Sequence, residues 1–250
     1  MKEALRHLCH RVFSQVLKLR SRPLPLIQDG RCVIIAPHQD DEALGCAGLI
    51  QRCNAAGIPV AVIYITDGAG SHPEHPRHSP PDIAQLRRAE ASQAMKLLGL
   101  SPDALHFLDA ADGTLAHLSS EIFTALSEKV ATLLVSLRPA SIFLPCRDDG
   151  SSEHVAAFRL AQHALTLAHL APRLFEYPVW ARWSPRLLIR TSLSRGRIWR
   201  VDVQAVHDLK RRALAAYVSQ FQPTPPWTQS VLPPGFAACF LQPEEFFIER

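Results

Sequence analysis

No C-x-x-C pair occurs among the six cysteines of this chain, Cys9, Cys32, Cys46, Cys53, Cys146 and Cys239, so there is no paired-cysteine framework to build on. Cys32 and Cys46 sit inside apolar periodic segments, and the thiols read as free and mostly buried, suited to a reducing cytosol. No stretch reaches about 18 consecutive apolar residues, and the N-terminus alternates charge with apolar residues, so neither a membrane span nor a secretion signal is visible. The zincin, EF-hand, Walker and G-x-G-x-x-G signatures are missing, which removes cofactor readings built on phosphate-cradling glycines. There are no internal repeats. Nor is there a strong charge bias: a formal +4 over 250 residues is too mild to argue for nucleic acid.

What is present suffices for a full core. At 47% hydrophobic, the chain can form one domain, or one domain with an appendage. Residues Lys2 to Leu19 place Leu5, Leu8, Val12, Phe13, Val16 and Leu17 on one helical stripe, with Lys2, Arg6, Arg11 and Lys18 elsewhere. Such a stripe either packs on the domain, the commoner use, or rests on an anionic membrane in peripheral contact. Ser21 to Gly30, holding Pro23 and Pro25, reads as a linker.

From Arg31 short apolar runs alternate with longer periodic segments, the pattern of βαβ units. Strands are expected at Val33 to Ala36, Val60 to Thr66, Leu105 to Leu108, Ser141 to Leu144 and Leu174 to Tyr177. Helices are expected at Glu42 to Ala56, Asp82 to Leu98, Ser119 to Leu137 and Ser152 to Leu170. The fold class is α/β: a Rossmann-like, largely parallel sheet flanked by helices, with a smaller C-terminal extension. The expected divisions are helix and linker over 1–30, the α/β body over 31–180, and an extension over 181–250 that completes the same domain. In that extension Arg182, Arg186, Arg190, Arg195, Arg197 and Arg200 run without an acid until Asp202, which suits a solvated twisted hairpin better than a phosphate receptor. Val203 to Gln220 reads as a further helix and Gln222 to Pro234 as a fixed extended segment.

The most informative residues are Pro37-His38-Gln39-Asp40-Asp41-Glu42. Pro37 ends an apolar strand because it has no donor for the ladder, and the acids that follow fall in the first turn of a helical pattern. His38 and Asp41 therefore project from one strand-to-helix turn. In open α/β sheets ligands bind outside the carboxyl ends of the strands, so a third metal ligand is sought in another loop on that edge. The run Pro145-Cys146-Arg147-Asp148-Asp149-Gly150-Ser151-Ser152-Glu153-His154 supplies His154 at the start of a helix. Taken singly, each residue has a plainer use, as a helix-cap acid or a hydrogen-bonded loop histidine; the combination points to a metal.

Pro37 to Glu42 resembles the PHPDDE signature of the PIG-L or LmbE-like zinc-dependent N-acetylglucosaminyl deacetylases, with Gln39 where that family usually has proline. Asp67-Gly68, Arg87 and Glu90 before Leu98-Gly99-Leu100, and Asp112-Gly113 resemble further family features in order. The resemblance covers roughly Arg31 to Leu170. It implies His38, Asp41 and His154 as ligands of Zn2+, with Fe2+ also suited to nitrogen and oxygen donors, and Asp40 as general base toward a metal-activated water. It also implies Arg87, Asp112 and Asp67 at the substrate, which would be a small-molecule or lipid-linked N-acetyl sugar, and Glu153 orienting a ligand or the base. Apart from the resemblance, the free thiols point to a cytoplasmic location, with peripheral membrane contact through the N-terminal helix as the alternative use of its stripe.

One departure stands out. Where the family often has a histidine acting as acid or oxyanion donor, this chain has Ser151, which cannot deliver a proton as an imidazolium does. His72 and His75, in the loop after the second strand, are the other residues offered for that role. Two further readings follow from the same residues: a degenerate, carbohydrate-binding relative that keeps its metal, and a metal-dependent phosphoesterase. The second is weaker because two-metal phosphoesterases need more carboxylates.

Overall fold

The computed structural model describes residues 12, 14–27, 29–192 and 196–250. Leu5, Leu8 and Phe13 of the expected N-terminal stripe, with Lys2, Arg6, Arg11, and Arg195 of the basic run, lie outside the described residues. Residues 14–20 are helical. Leu17 of this segment is buried against Leu188, Ile198 and Phe246, whereas Val12 and Leu19 are exposed.

Eight strands form one sheet: β1 (Arg22–Pro23), β2 (Arg31–Ala36), β3 (Val60–Thr66), β4 (Leu105–Ala110), β5 (Pro139–Pro145), β6 (Arg173–Tyr177), β7 (Arg197–Asp202) and β8 (Glu244–Glu249). Their order is β1-β7-β8-β6-β5-β2-β3-β4. All neighbours pair in parallel except β8, which is antiparallel to β6 and β7. The helices are α1 (Asp41–Ala55), α2 (Pro80–Leu97), α3 (Ser120–Leu137), α4 (Ser152–Ala168), α5 (Trp180–Trp183), α6 (Pro185–Ser192), α7 (His207–Ala215) and α8 (Val218–Phe221). No helix among the described residues is long and apolar enough to cross a membrane.

The central strands are continuously apolar because both faces are covered. Cys32, Ile34, Val60, Val62 and Tyr64 pack with α1 and α2 on one face, and Val33, Ile35, Ala61, Ile63 and Ile65 pack with α3 and α4 on the other. Each fully buried Val or Ile contributes about 1.5–3 kcal/mol. The caps are local: Ser79 and Asp82 form a capping box at α2, and Ser119 and Ser151 cap α3 and α4.

The C-terminal part differs from expectation. The arginine run does not form a hairpin. Arg182 lies in α5, Arg186 and Arg190 in α6, and Arg197 and Arg200 in β7. The partner of β7 is β8, far along the chain, and not the adjacent residues. Arg182 is buried with Nε donating to the Cys239 carbonyl at 3.0 Å; Arg190 pairs with Asp148 at 2.6 Å and Arg197 with Glu249 at 3.8 Å. The expected helix Val203 to Gln220 is divided into α7 and α8, broken at Tyr217 (φ −82°, ψ 58°), whose hydroxyl donates to Glu42.

Strand β8 grips α1 through Glu245, which accepts the Gly48 amide at 2.7 Å and the Leu49 amide at 2.9 Å. Lys210 of α7 donates to Glu245 at 2.7 Å and to the Leu44 carbonyl at 2.9 Å. Gly48 permits this approach, since a Cβ there would overlap the Val203 side chain and lie 3.1 Å from Glu245 Oε2.

Candidate metal centre

Chain order reverses between β2 and β5, with β3 and β4 to one side and β6 to the other. This switch point opens the crevice where α/β sheets hold ligands. His38 follows β2, and His154 stands in the first turn of α4 after β5. His38 Nδ1 lies 3.3 Å and His154 Nε2 3.4 Å from the same oxygen, Oδ2 of Asp41. One donor atom from each of the three falls within 4.8 Å of the others. His154 Nε2 is buried without a hydrogen-bond partner, an arrangement costly unless something fills it. A divalent cation with nitrogen and oxygen preference fits that gap.

The orientation of His154 is fixed by Asp149, a residue without an assigned role in the sequence reading. Asp149 is fully buried, and its Oδ2 lies 2.7 Å from His154 Nδ1. Its carboxylate also accepts the backbone amides of Val179 at 2.8 Å, Trp180 at 2.9 Å and Ala181 at 3.1 Å. With Nδ1 facing a carboxylate, Nε2 is the atom left for a metal. Burial pulls the His154 pKa down, but the Asp41 and Asp149 carboxylates push it up to about 9; a cation in the cluster takes the place of that proton. Burial also works against ionised Asp41, yet His154 and His38 hold its pKa well below the usual carboxylate range.

Asp40 is not one of the three clustered donors but lines the same cavity. It has φ 149° and ψ −26°, a strained backbone for a non-glycine residue, of the order of 1–3 kcal/mol. The strain is held by contacts: its amide donates to Glu42 at 3.1 Å, and its carboxylate receives Arg87 Nη2 at 3.2 Å. Arg87 is buried, donates to the Gln39 carbonyl, and stands 3.7 Å from Glu90, which in turn accepts the Ser219 amide and hydroxyl at 2.7 Å each. The Arg87–Glu90 pair thus exists and also borders the site. Burial raises the Asp40 pKa to about 6 against the opposing Arg87 charge. Gln39, in the usual proline position, donates to the Thr66 carbonyl at 2.7 Å and ties the turn to β3.

The other expected residues divide. Asp112 lies 3.2 Å and Glu153 2.9 Å from His38 Nε2, so they brace the imidazole from behind. Glu153 also accepts the Gly113 amide at 3.2 Å and the Leu115 amide at 2.8 Å. Asp67 accepts the amides of Ala69 and Asp112, shaping the loops, and does not line the cavity. The residues offered for the acid role stand elsewhere. Ser151 receives the His154 amide at 3.4 Å as the cap of α4 and borders a different hollow. His72 lies 2.9 Å from Thr224 Oγ1 and stacks on Trp227, and His75 reaches the Thr224 carbonyl. That loop presents Gly70 and Ser71 to the cavity, not its histidines.

The cavity, about 160 Å³, is lined by His38, Asp40, Asp41, Arg87, Asp112 and His154, and beyond them by Gly70, Ser71, Gln220 and apolar residues of α1 and the C-terminal part. A family model described as PIG-L, GlcNAc-PI de-N-acetylase, matches residues 33–165. The diacetylchitobiose deacetylase of Thermococcus kodakarensis is 25% identical over 196 residues, covering 76% of this chain and 70% of its own. Among solved structures, the conserved protein TT1542 of Thermus thermophilus is 29% identical, with a TM-score of 0.61 over 84% of each chain. The 4-carboxy-2-hydroxymuconate hydratase GalB of Pseudomonas putida has a TM-score of 0.62 at 19% identity, covering 76% of this chain and 80% of its own, a likeness of fold alone.

Proposed function

Because the chain belongs to the PIG-L family of GlcNAc-PI de-N-acetylases, we propose that it hydrolyses the N-acetyl group of an N-acetylated amino sugar or GlcNAc conjugate. The observation that carries this reading is the buried Asp40 carboxylate, held by Arg87 on the wall of the cavity that also receives His38, Asp41 and His154. Those three residues would hold Zn2+; Fe2+ suits the same donors. When bound, the ion polarises a carbonyl and lowers the pKa of a water to about 7. Asp40 takes the proton of the attacking water and returns it to the departing sugar amine. With Ser151, His72 and His75 outside the cavity, Asp40 carries both transfers. Arg87 and Asp112 on the wall are the groups available to sugar hydroxyls.

A phosphoesterase would call for a second cation. A second donor group, His38, Asp112 and Glu153, does exist, but Glu153 already accepts two backbone amides, which supports a single-ion site. Retention of a buried Asp40 likewise favours catalysis over binding alone. The cytoplasm is the proposed location, supported by the free, buried Cys32, Cys46, Cys53, Cys146 and Cys239. Peripheral contact with an anionic membrane is proposed for the outward side of the N-terminal segment, where Val12, Lys18 and Leu19 are exposed. The test of function is metal analysis of the purified protein with an amine-release screen over N-acetyl sugars and phosphate release from phosphate esters. Amine release that His154→Ala abolishes is expected; phosphate release without amine release overturns the reading.

A further inference from the structure

The chemistry of the cavity comes from one part of the chain and much of its remaining lining from another. His38, Asp40, Asp41, Arg87, Asp112 and His154 all lie inside the stretch matched by the family model, residues 33–165. From outside that stretch Gln220 and five largely apolar residues, Val179, Trp180, Val231, Leu232 and Phe236, line the same cavity. The Phe236 ring packs on Trp180 and Trp183 with ring centroids 5.0 and 5.4 Å away, and the backbone at Leu232 is held by its amide, which donates to the Gln220 carbonyl at 2.9 Å. Trp180 and Val231 are half-buried, so this lining meets whatever enters.

A sugar hydroxyl set against Val179, Val231, Leu232 and Phe236 loses water and gains no hydrogen bond from their side chains, and Trp180 offers only its indole N–H, which penalises a polar neighbour to the acetamide over most of this wall. An alkyl or aryl group gains instead, about fourfold in affinity for each methylene buried. Resting on the deacetylase reading, we propose that the residues Val179, Trp180, Val231, Leu232 and Phe236 form a subsite for an apolar substituent of the substrate next to its amide. The substituent is carried either on the anomeric oxygen or as a lengthened acyl group. The C-terminal part of the chain thereby sets which N-acyl sugar the metal end acts on.

Binding is measured apart from turnover, by calorimetric titration of the metal-free protein with methyl N-acetylglucosaminide, hexyl N-acetylglucosaminide and methyl N-hexanoylglucosaminide. One hexyl-bearing compound is expected to bind at least about tenfold tighter than the methyl compound, and which of the two does so locates the substituent. Trp180→Ala and Val231→Asn, each checked for fold by circular dichroism, should cut that preference below about threefold while leaving the methyl compound's affinity unchanged. Equal affinities for all three, no binding of any, or a preference untouched by both variants overturns the subsite. Amine release is followed separately on the zinc-loaded enzyme. An alkyl preference in binding without amine release from any compound rejects the deacetylase reading and leaves the subsite standing; amine release with flat binding does the reverse.

Discussion

Changing Asp149 to Asn replaces one oxygen and one charge in a place where every neighbour is a donor. In the wild type Oδ1 accepts the amides of Val179 and Ala181, and Oδ2 accepts that of Trp180 and faces His154 Nδ1 at 2.7 Å. An asparagine offers one oxygen and one NH2 group, so two of the four donors must face another donor. If the NH2 lies toward Val179 and Ala181, two buried amides lose their acceptor, at about 1–3 kcal/mol each. If it lies toward His154, the imidazole has to accept at Nδ1, and its own proton moves to Nε2, the atom aimed at the cation. The first arrangement costs stability of the order of 2–6 kcal/mol, and the second spoils the ligand. Urea unfolding of the metal-free variant measures the first effect. Competition for zinc against a chromophoric chelator measures the second, with a fall of about 10–100-fold expected. An Asp149→Asn protein that matches wild type both in urea stability and, within about threefold, in zinc affinity would refute the argument, since neither arrangement allows that combination.

Asp40→Asn should keep zinc affinity and lower kcat by about 10²–10⁴ in an amine-release assay; retained turnover removes Asp40 from the proton transfers. Lys210→Met strands the buried Glu245 carboxylate without its cation and should cost about 3–5 kcal/mol in urea unfolding. Gly68 has φ 73°, and a Cβ there would press on Gln39 Oε1 and lie 3.2 Å from Arg87, so Gly68→Ala should cost at least about 1–2 kcal/mol, with an unchanged midpoint counting against that crowding. Burial, with His75, Arg87 and His78, pulls the His72 pKa down to about 4. The unfolded chain therefore binds this proton first, and stability falls as pH drops from about 6.5 toward 4. His72→Gln, which does not titrate, should flatten that slope in melting curves recorded from pH 7 to 4; parallel curves for the two proteins exclude His72 as its source.

The α/β body was legible because its strands are buried on both faces and so read as unbroken apolar runs, Cys32 to Ala36 and Val60 to Thr66 being the clearest. The two histidines and Asp41 were legible for a different reason: the parallel topology sends the ends of β2 and β5 to one edge, whatever their separation in sequence. Other features depend on contacts that no local pattern encodes. Strand β8, Glu-Glu-Phe-Phe-Ile-Glu, is short and bordered by acids, and its buried Glu245 makes sense only opposite Lys210 and the α1 amides. Tyr217 interrupts a helical pattern because its hydroxyl is drawn to Glu42, and the break moves Ser219 onto Glu90. Asp149 carried a visible signal, an acid five positions before His154 in a loop beyond a strand, yet its strongest partners are amides of residues 179–181. Ser151 and the loop histidines invited chemical roles because of their types, and the structure spends them on a helix start and on Thr224.

The clasp of Glu245 and Lys210 on α1 also bears on how the protein is assembled. The helix that begins with Asp41 is secured at its middle by the last strand of the sheet, which emerges from the ribosome some two hundred residues later. A nascent chain can pair β2 with β3 early, but the rod carrying Asp41 stays unfastened until β8 has been made. A chain broken off after His154 but before β8 would thus hold its three clustered donors less firmly, although every one of them is still present.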